Sequence, residues 1–242
     1  MEWNAPGIIL SASPYGEGDA LAAVFTEVLG VHRGLARGGL SRARASTWQA
    51  GNLIEARWIA RLADQLGSFS GEMVHPAAAL AMQDGLSLAI LQAACAVAEG
   101  ALPEREPYPR IFAGLLHLIA HLQPGERSLA EFARWELALL ADLGFGLDLS
   151  KCAVTGEESG LAFVSPRTGR AVSATAAGAW RQRLLPLPAF FIEDVPADAA
   201  ALAGALRLTG HFLARDAFGA RHKPLPAART MLLDRVSRLT KA

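Results

Sequence analysis

The chain has 242 residues, 52% of them apolar and 19% charged, which excludes disorder through polar excess and leaves room for one to two domains. Basic and acidic residues balance at 23 each, so a uniformly cationic coat is excluded and any anion site must be a local cluster. Cys95 and Cys152 are too few for a disulfide framework, and no apolar run reaches the ~18–20 residues that span a bilayer; a soluble cytoplasmic protein without a secretory leader is expected.

Residues 1 to about 75 read as short strands. Gly7–Ser11 is apolar and precedes a turn cluster, Ser13–Asp19. Leu21–Thr26 is mixed rather than alternating, and Val31–Ala36 follows. In Asn52–Ile59, Ile54, Ala56 and Trp58 fall on one face and Glu55 and Arg57 on the other, the period of a half-buried strand. Leu66–Met73 is a weaker last segment. Five short strands in so small a span fit a barrel such as an OB-fold better than an open sheet, and an SH3-like barrel gives a similar pattern.

The texture changes at His75–Pro76, where alanine and leucine take over. One helix is expected from Pro76 to about Ala98, a second from about Arg110 to Leu122, and a third after Ser128-Leu129-Ala130-Glu131, which reads as a capping box. Gly144 is its expected C-cap. Residues 148–180 differ again: Leu161–Ser165 and Arg170–Ser173 flank a Pro-Arg-Thr-Gly turn and form a hairpin. Asp198 is the expected N-cap of a helix to Phe218, and Ala227–Leu239 forms the last. The fold class is α+β: a β-barrel domain over 1–75 and a helical domain over 76–242 carrying a β-hairpin insertion at about 148–180.

Several chemistries lack their residues. The three lysines, Lys151, Lys223 and Lys241, follow no phosphate-cradling glycine loop. Gly16-Glu17-Gly18-Asp19-Ala20-Leu21 puts leucine where a dinucleotide fingerprint needs its third glycine, and it reads as a turn. No G-x-S-x-G elbow occurs. His117 and His121 lie one helical turn apart, but Leu118 stands where a zinc protease motif has glutamate. No acid–base–nucleophile set stands out, so no catalytic residues are assigned and no enzyme is expected.

Positive charge is unevenly placed. No acidic residue occurs between Val28 and Ile54, a stretch holding Arg33, Arg37, Arg42 and Arg44 among glycines, with Trp48 as a candidate stacking surface. Arginines for phosphates beside an aromatic for bases is the pattern by which small barrels hold single strands. A second acid-free stretch, Ser159–Ile192, carries Arg167, Arg170, Arg181 and Arg183. A third, C-terminal cluster holds Arg221, Lys223, Arg229, Arg235, Arg238 and Lys241 against Asp234. The asymmetry favours a polyanion partner.

These residues also carry a resemblance. Gly7-Ile8-Ile9-Leu10, Tyr15-Gly16-Glu17-Gly18-Asp19, Val24-Phe25-Thr26 and Gly34-Leu35-Ala36-Arg37-Gly38-Gly39 are similar to the start of the RecO family of bacterial recombination mediators. Phe132-Ala133-Arg134-Trp135-Glu136-Leu137 through Phe145 resembles that family's most recognisable helix, and Phe218-Gly219 with Lys223-Pro224-Leu225 its C-terminal segment. The resemblance implies an N-terminal OB-fold on a helical domain. It implies DNA repair and recombination: binding of single- and double-stranded DNA, strand annealing, work with RecR, contact with the C-terminal tail of single-strand-binding protein (SSB), and help for RecA to load on SSB-coated strands. Nucleoid association during repair would follow, and no membrane role.

By position, the resemblance puts Arg37, Arg42 and Arg44 in the DNA role with Arg33 beside them, next to the Trp48 read above as a stacking surface. It puts Arg134 at the SSB tail; Trp135, Leu139 and Phe132 are candidates for an apolar groove beside it, and each reads equally as core. A guanidinium suits both tasks, since its planar fork pairs two anionic oxygens at once. Many members hold zinc through four cysteines in the insertion. Here Cys152 is the remnant and Thr155 occupies the next ligand position, so no metal or other cofactor is expected. A non-catalytic protein-interaction adaptor with an OB-like barrel is the alternative reading.

Overall fold

The computed structural model describes residues 1–62 and 65–239. Five strands, β1 (Glu2–Tyr15), β2 (Asp19–Thr26), β3 (Gly30–Ala36), β4 (Leu53–Ile59) and β5 (Gly67–His75), close a barrel in the order β1-β2-β3-β5-β4. All pairings are antiparallel except β3–β5, where Gly34–Ala36 run parallel to Gly67–Phe69. A five-stranded closed barrel with this single parallel seam is an OB-fold, which removes the SH3-like alternative.

β1 is longer than the sequence suggests. It pairs with β4 over Glu2–Ile8 and with β2 over Gly7–Tyr15, so its two halves serve different neighbours. Gly7 sits where the two ladders overlap, and a β-carbon there would lie 2.5 Å from Val24 Cγ1. The expected turn cluster therefore begins later, at Gly16, because Ser13–Tyr15 still pair with β2.

The barrel interior is lined by Ile9, Ala22, Val24, Ile54, Ala56, Trp58 and Phe69. Trp3 stacks on Trp58 with ring centres 6.0 Å apart, and His32 meets both edge-on at 5.1 Å. Burial, reinforced by the Arg105 cation, holds His32 below its ordinary pKa, so it sits among the indoles as a neutral ring. Small residues make room for these rings. A β-carbon on Gly67 would fall 2.2 Å from Trp58 Nε1, on an indole that is 2% exposed and donates to the Arg33 carbonyl at 3.0 Å. Gly67→Ala is expected to destabilise the barrel by roughly 1–3 kcal/mol through overpacking, read as a lower urea midpoint; an unchanged midpoint would mean the indole has space to move.

Three helices follow: α1 (Ala77–Ala81), α2 (Gly85–Ala101) and α3 (Pro109–Ala120). The single helix expected from Pro76 is broken, because Asp84 leaves the helix and caps α2, accepting from the Ser87 amide at 2.7 Å and hydroxyl at 2.8 Å. Compactness divides the chain into Met1–Pro124 and a second unit beginning at Gly125. Phe25 on β2 meets Phe112 on α3 at 5.3 Å, and Ser11 on β1 donates to Glu99 on α2 at 2.8 Å.

The second unit contains α4 (Glu126–Asp142), a small sheet of β6 (Leu161–Val164), β7 (Ala171–Ser173) and β8 (Leu185–Pro186) in the order β7-β6-β8, α5 (Ala199–Phe212) and α6 (Ala227–Leu239). α4 starts before the expected capping box: Gly125, at φ +117°, is its N-cap, and Ser128 lies buried inside the first turn. Gly144 (φ +86°) ends it as expected. Asp198 caps α5, accepting from the Ala201 amide at 2.7 Å, and α5 gives way after Phe212 to a wider turn over Leu213–Ala217. The hairpin is present, its turn closed by Gly169 (φ +71°).

Among the described residues no helix is long and apolar enough to cross a membrane.

Candidate nucleic-acid interface

β3 delivers the chain into a turn-rich segment, 37–52, that ends where β4 begins. Helical turns run from Ser41 to Trp48 through Arg44 N–H to Ser41 C=O at 3.0 Å and Thr47 N–H to Arg44 C=O at 2.9 Å. The segment is tied down at both ends. The Gly38 amide donates to Asp19 Oδ1 at 2.7 Å, and the Leu40 amide to the Gly18 carbonyl at 3.0 Å. At the far end Asn52, 1% exposed, donates to the Ser46 and Thr47 carbonyls at 2.8 and 3.1 Å and accepts from the Ala78 amide at 3.0 Å. A buried amide with three partners anchors this end of the loop.

Arg37, Arg42 and Arg44 project from this loop, all exposed. None has a carboxylate partner among the described residues; Arg44 Nη1 donates instead to the Arg37 carbonyl at 3.1 Å. Arg44 also borders a groove of about 560 Å³ lined by Thr47, Trp48, Phe69 and the β4–β5 residues Glu55, Arg57 and Glu72. This groove is mixed in charge. Glu55 and Glu72 face each other across the strand pair, and Arg57 is paired with Glu2 at 2.6 Å. Among the described residues lining the groove Arg44 is thus the cation without a carboxylate partner, and the loop arginines do not continue as a track along it.

Two residues expected at this interface belong elsewhere. Arg33 is held by Glu99 at 2.8 Å and Glu104 at 2.7 Å, and Glu99 also accepts from Ser11. It fastens β3 to α2 and to the segment after it, and its guanidinium is already neutralised by two carboxylates, unlike those of the loop. Trp48 is 5% exposed and packs in the barrel core, 6.1 Å from Phe69. It forms the floor of the groove and has no open face for a base.

The second candidate site lies on α4. Arg134 is exposed, donates from Nη2 to the Phe190 carbonyl at 3.1 Å, and lies 5.2 Å from the Phe190 ring centre. With Glu126, Arg127, Ala130, Val195, Pro196 and Ala197 it lines a groove of about 260 Å³ in which two cations outnumber one carboxylate. Trp135, expected in this groove, is 4% exposed and stacks on Phe132 in the core, and Val195, 38% exposed, supplies apolar surface there. Val195 was missed because it sits in a short loop after an acidic pair with no periodicity to mark it.

The zinc remnant does not fit a metal. Cys152 is buried among Val172, Ala177, Leu161 and Phe163 and accepts from the Ser173 amide at 3.3 Å. Burial opposes ionisation, but hydrogen bonds from Thr155 and Ser173 outweigh it and bring the thiol down to about 6. Those bonds occupy the sulfur with donors, where a metal site would supply further anionic ligands. Among the described residues no three His, Cys, Asp or Glu side chains gather to hold a metal. His117 and His121 form a tilted surface pair, ring centres 4.2 Å apart, with His121 Nδ1 2.9 Å from the His117 carbonyl.

In the C-terminal cluster, Arg229 is fully buried in an ion pair with Glu136 and is no surface cation. Lys241 lies outside the described residues.

An OB barrel with an anchored arginine loop, followed by a helical unit carrying a hairpin insertion, defines the class of protein: an OB-fold protein with a helical second half. The family model described as Recombination protein O N terminal matches residues 1–77, and that described as Recombination protein O C terminal matches residues 82–226. The chain is 59% identical over 244 residues to DNA repair protein RecO of Granulibacter bethesdensis, an alignment covering 100% of this chain and 98% of the relative. It is 56% identical over 245 residues to the protein of that name from Gluconacetobacter diazotrophicus (99% and 96% covered) and 57% identical over 242 residues to that from Acidiphilium cryptum (98% and 96%). The chain belongs to the RecO family of DNA repair proteins.

Proposed function

We propose that this chain is a non-catalytic recombination mediator. It binds single- and double-stranded DNA through the barrel, anneals complementary strands, and with RecR helps RecA load on SSB-coated DNA. The observation that carries this reading is the loop 37–44: three exposed arginines, without carboxylate partners among the described residues, on backbone held by Asp19 and Asn52. Cations fixed in advance meet phosphates at a smaller entropic cost than mobile ones. Neutralising phosphates on two strands lowers their repulsion, which favours pairing. The test is a gel shift with labelled single-stranded DNA at low and moderate salt. A retained complex that weakens as salt rises is expected. No complex at low salt would leave the protein-interaction adaptor as the better account.

The α4 groove is assigned to the SSB tail. A C-terminal peptide with acids and an apolar end requires a guanidinium beside an apolar lining, which Arg134, Val195 and Pro196 supply. Arg134→Ala is expected to weaken an acidic C-terminal peptide by roughly tenfold, the size of one charge-assisted hydrogen bond, in a fluorescence anisotropy titration. Naked-DNA binding should hardly change. Equal loss of both would remove the assignment.

A further inference from the structure

The hairpin insertion presents a feature that neither the barrel loop nor the α4 groove uses. After β7 the chain turns through Ala177, which is 1% exposed against Cys152 and Val172, and enters a tight helical turn, Gly178–Arg183, with no buried residue. Trp180 stands on it at 63% exposure. An indole so exposed forgoes the burial that normally stabilises this side chain by a few kcal/mol.

The turn is nevertheless held in place. The Ala177 amide donates to the Ser173 carbonyl at 3.1 Å, the Trp180 amide to the Ala177 carbonyl at 2.9 Å, and the Ala176 amide to Ser173 Oγ at 3.3 Å. The apolar knuckle around Cys152 thus does mechanically what a metal would otherwise do: it fixes the turn and aims the indole outward.

Two arginines flank Trp180, each laid over a ring. Arg183 lies 5.4 Å from the Trp180 ring centre and Arg181 5.5 Å from that of Phe163. Neither has a carboxylate partner among the described residues. A guanidinium stacked on a ring still presents its N–H edge in its own plane, where it can donate to phosphate oxygens. Ala179, Trp180, Gln182 and Arg183 border an open hollow of about 340 Å³. Around the turn the chain carries no acid from Ser159 to Ile192, and Arg167 adds a further exposed cation on the hairpin turn. Asp148 pairs with Arg170 of this stretch at 3.5 Å, whereas Arg167, Arg181 and Arg183 have no carboxylate partner among the described residues, and unpaired cations attract polyanions.

We propose that the turn 178–183 is a second contact for single-stranded nucleic acid, in which Trp180 stacks on a base and Arg181 and Arg183 take the adjoining phosphates. Stacking on an indole is indifferent to base identity, and flanking guanidinium groups follow a backbone, so the contact is sequence-tolerant. It rests on the DNA-binding reading of the barrel loop but adds a site on a different unit, with a different chemical signature. The loop arginines contribute salt dependence; Trp180 contributes a salt-insensitive stack.

The indole supplies its own probe. Of the five tryptophans, Trp48, Trp58 and Trp135 are buried and Trp3 is partly so, which leaves Trp180 as the highly exposed one. The full chain is titrated with unlabelled oligothymidylate while tryptophan emission and its quenching by acrylamide are followed, and affinity is read in parallel by anisotropy of a labelled oligonucleotide. The expected result is loss of the exposed emission component with protection from acrylamide. Trp180→Ala should abolish that signal and weaken binding about five- to hundredfold, the range of one base stack, with its salt slope nearly that of the unmodified chain. Trp180→Phe should retain most of the affinity, since a ring remains. If the oligonucleotide binds while the exposed emission stays unchanged and Trp180→Ala binds normally, the proposal is overturned and the barrel reading stands. A response to an acidic peptide but not to oligothymidylate overturns it in favour of a protein contact. No binding by the unmodified chain overturns both.

Discussion

Replacing Glu136 by alanine is expected to cost about 3–5 kcal/mol of stability, the penalty for stranding one partner of a buried ion pair. Glu136 on α4 and Arg229 on α6 are both fully inaccessible to solvent. Arg229 Nε donates to Glu136 Oε1 at 2.5 Å and Nη2 to Oε2 at 2.8 Å, a bidentate fork. Nη2 also donates to the Leu206 carbonyl at 2.8 Å and to Thr209 Oγ1 at 3.1 Å, and the Thr209 hydroxyl donates to Glu136 Oε2 at 2.6 Å. The guanidinium lies 5.6 Å from the Phe132 ring centre and passes Gly210, where a β-carbon would sit 3.6 Å from Nη2. Three helices therefore meet on one charged group. Without the carboxylate, Arg229 keeps one carbonyl and one hydroxyl, which cannot compensate a cation in an apolar interior. Urea denaturation followed by circular dichroism measures the loss. The paired replacement Glu136→Met with Arg229→Leu should recover most of it, because apolar side chains of similar volume need no partner. A loss below about 1 kcal/mol in Glu136→Ala would mean that water reaches the site and that α6 is not fastened by this pair.

The same cluster shows where sequence reading runs out. Arg229 sits in a terminal run of basic residues, and by pattern it reads as one more solvated cation. Its partner is 93 residues away, and nothing local marks either as buried. Arg33 fails for the same reason, since Glu99 and Glu104 lie 66 and 71 residues further along the chain. Charge patterning finds where cations are dense; whether each is free depends on long-range pairing. Exposure decides the aromatics in the same way. Trp48 and Trp135 stand in suggestive company but fill cores, while Trp180, which no local pattern singled out, is the one left in solvent.

Strands and helices were legible to the extent that they have one wet face. β4 alternates as its burial does, with Glu55 and Arg57 outward and Ile54, Ala56 and Trp58 inward. β2 looks mixed because Ala22, Val24 and neighbouring Ala23 and Phe25 are all buried, one set inside the barrel and Phe25 against α3. The barrel's type was hidden in the sequence because the parallel β3–β5 seam joins segments with no shared periodicity. The family resemblance supplied OB topology that strand counting could not.

Removing the three loop guanidinium groups together, as Arg37→Ala, Arg42→Ala and Arg44→Ala, is expected to flatten the dependence of log K on log salt for single-stranded DNA by about 2, at ~0.7 for each phosphate no longer neutralised. Binding at low salt should weaken by roughly 1–3 kcal/mol, about five- to hundredfold, since exposed charge pairs contribute up to about 1 kcal/mol each. Folding should be untouched: the three side chains are exposed, and the hydrogen bond from Arg44 to the Arg37 carbonyl lies at the surface. The loop itself is held by Asp19 and Asn52, which remain. Arg33→Ala makes the informative contrast. Because Arg33 neutralises Glu99 and Glu104, its removal should lower the melting temperature while leaving the salt slope near its original value. The two variants thus separate charge that binds from charge that fastens, in anisotropy titrations over a range of salt. A triple variant with an unaltered slope would put the phosphate contacts elsewhere on the chain, and a flattened slope in Arg33→Ala would show that its ion pairs open when DNA arrives.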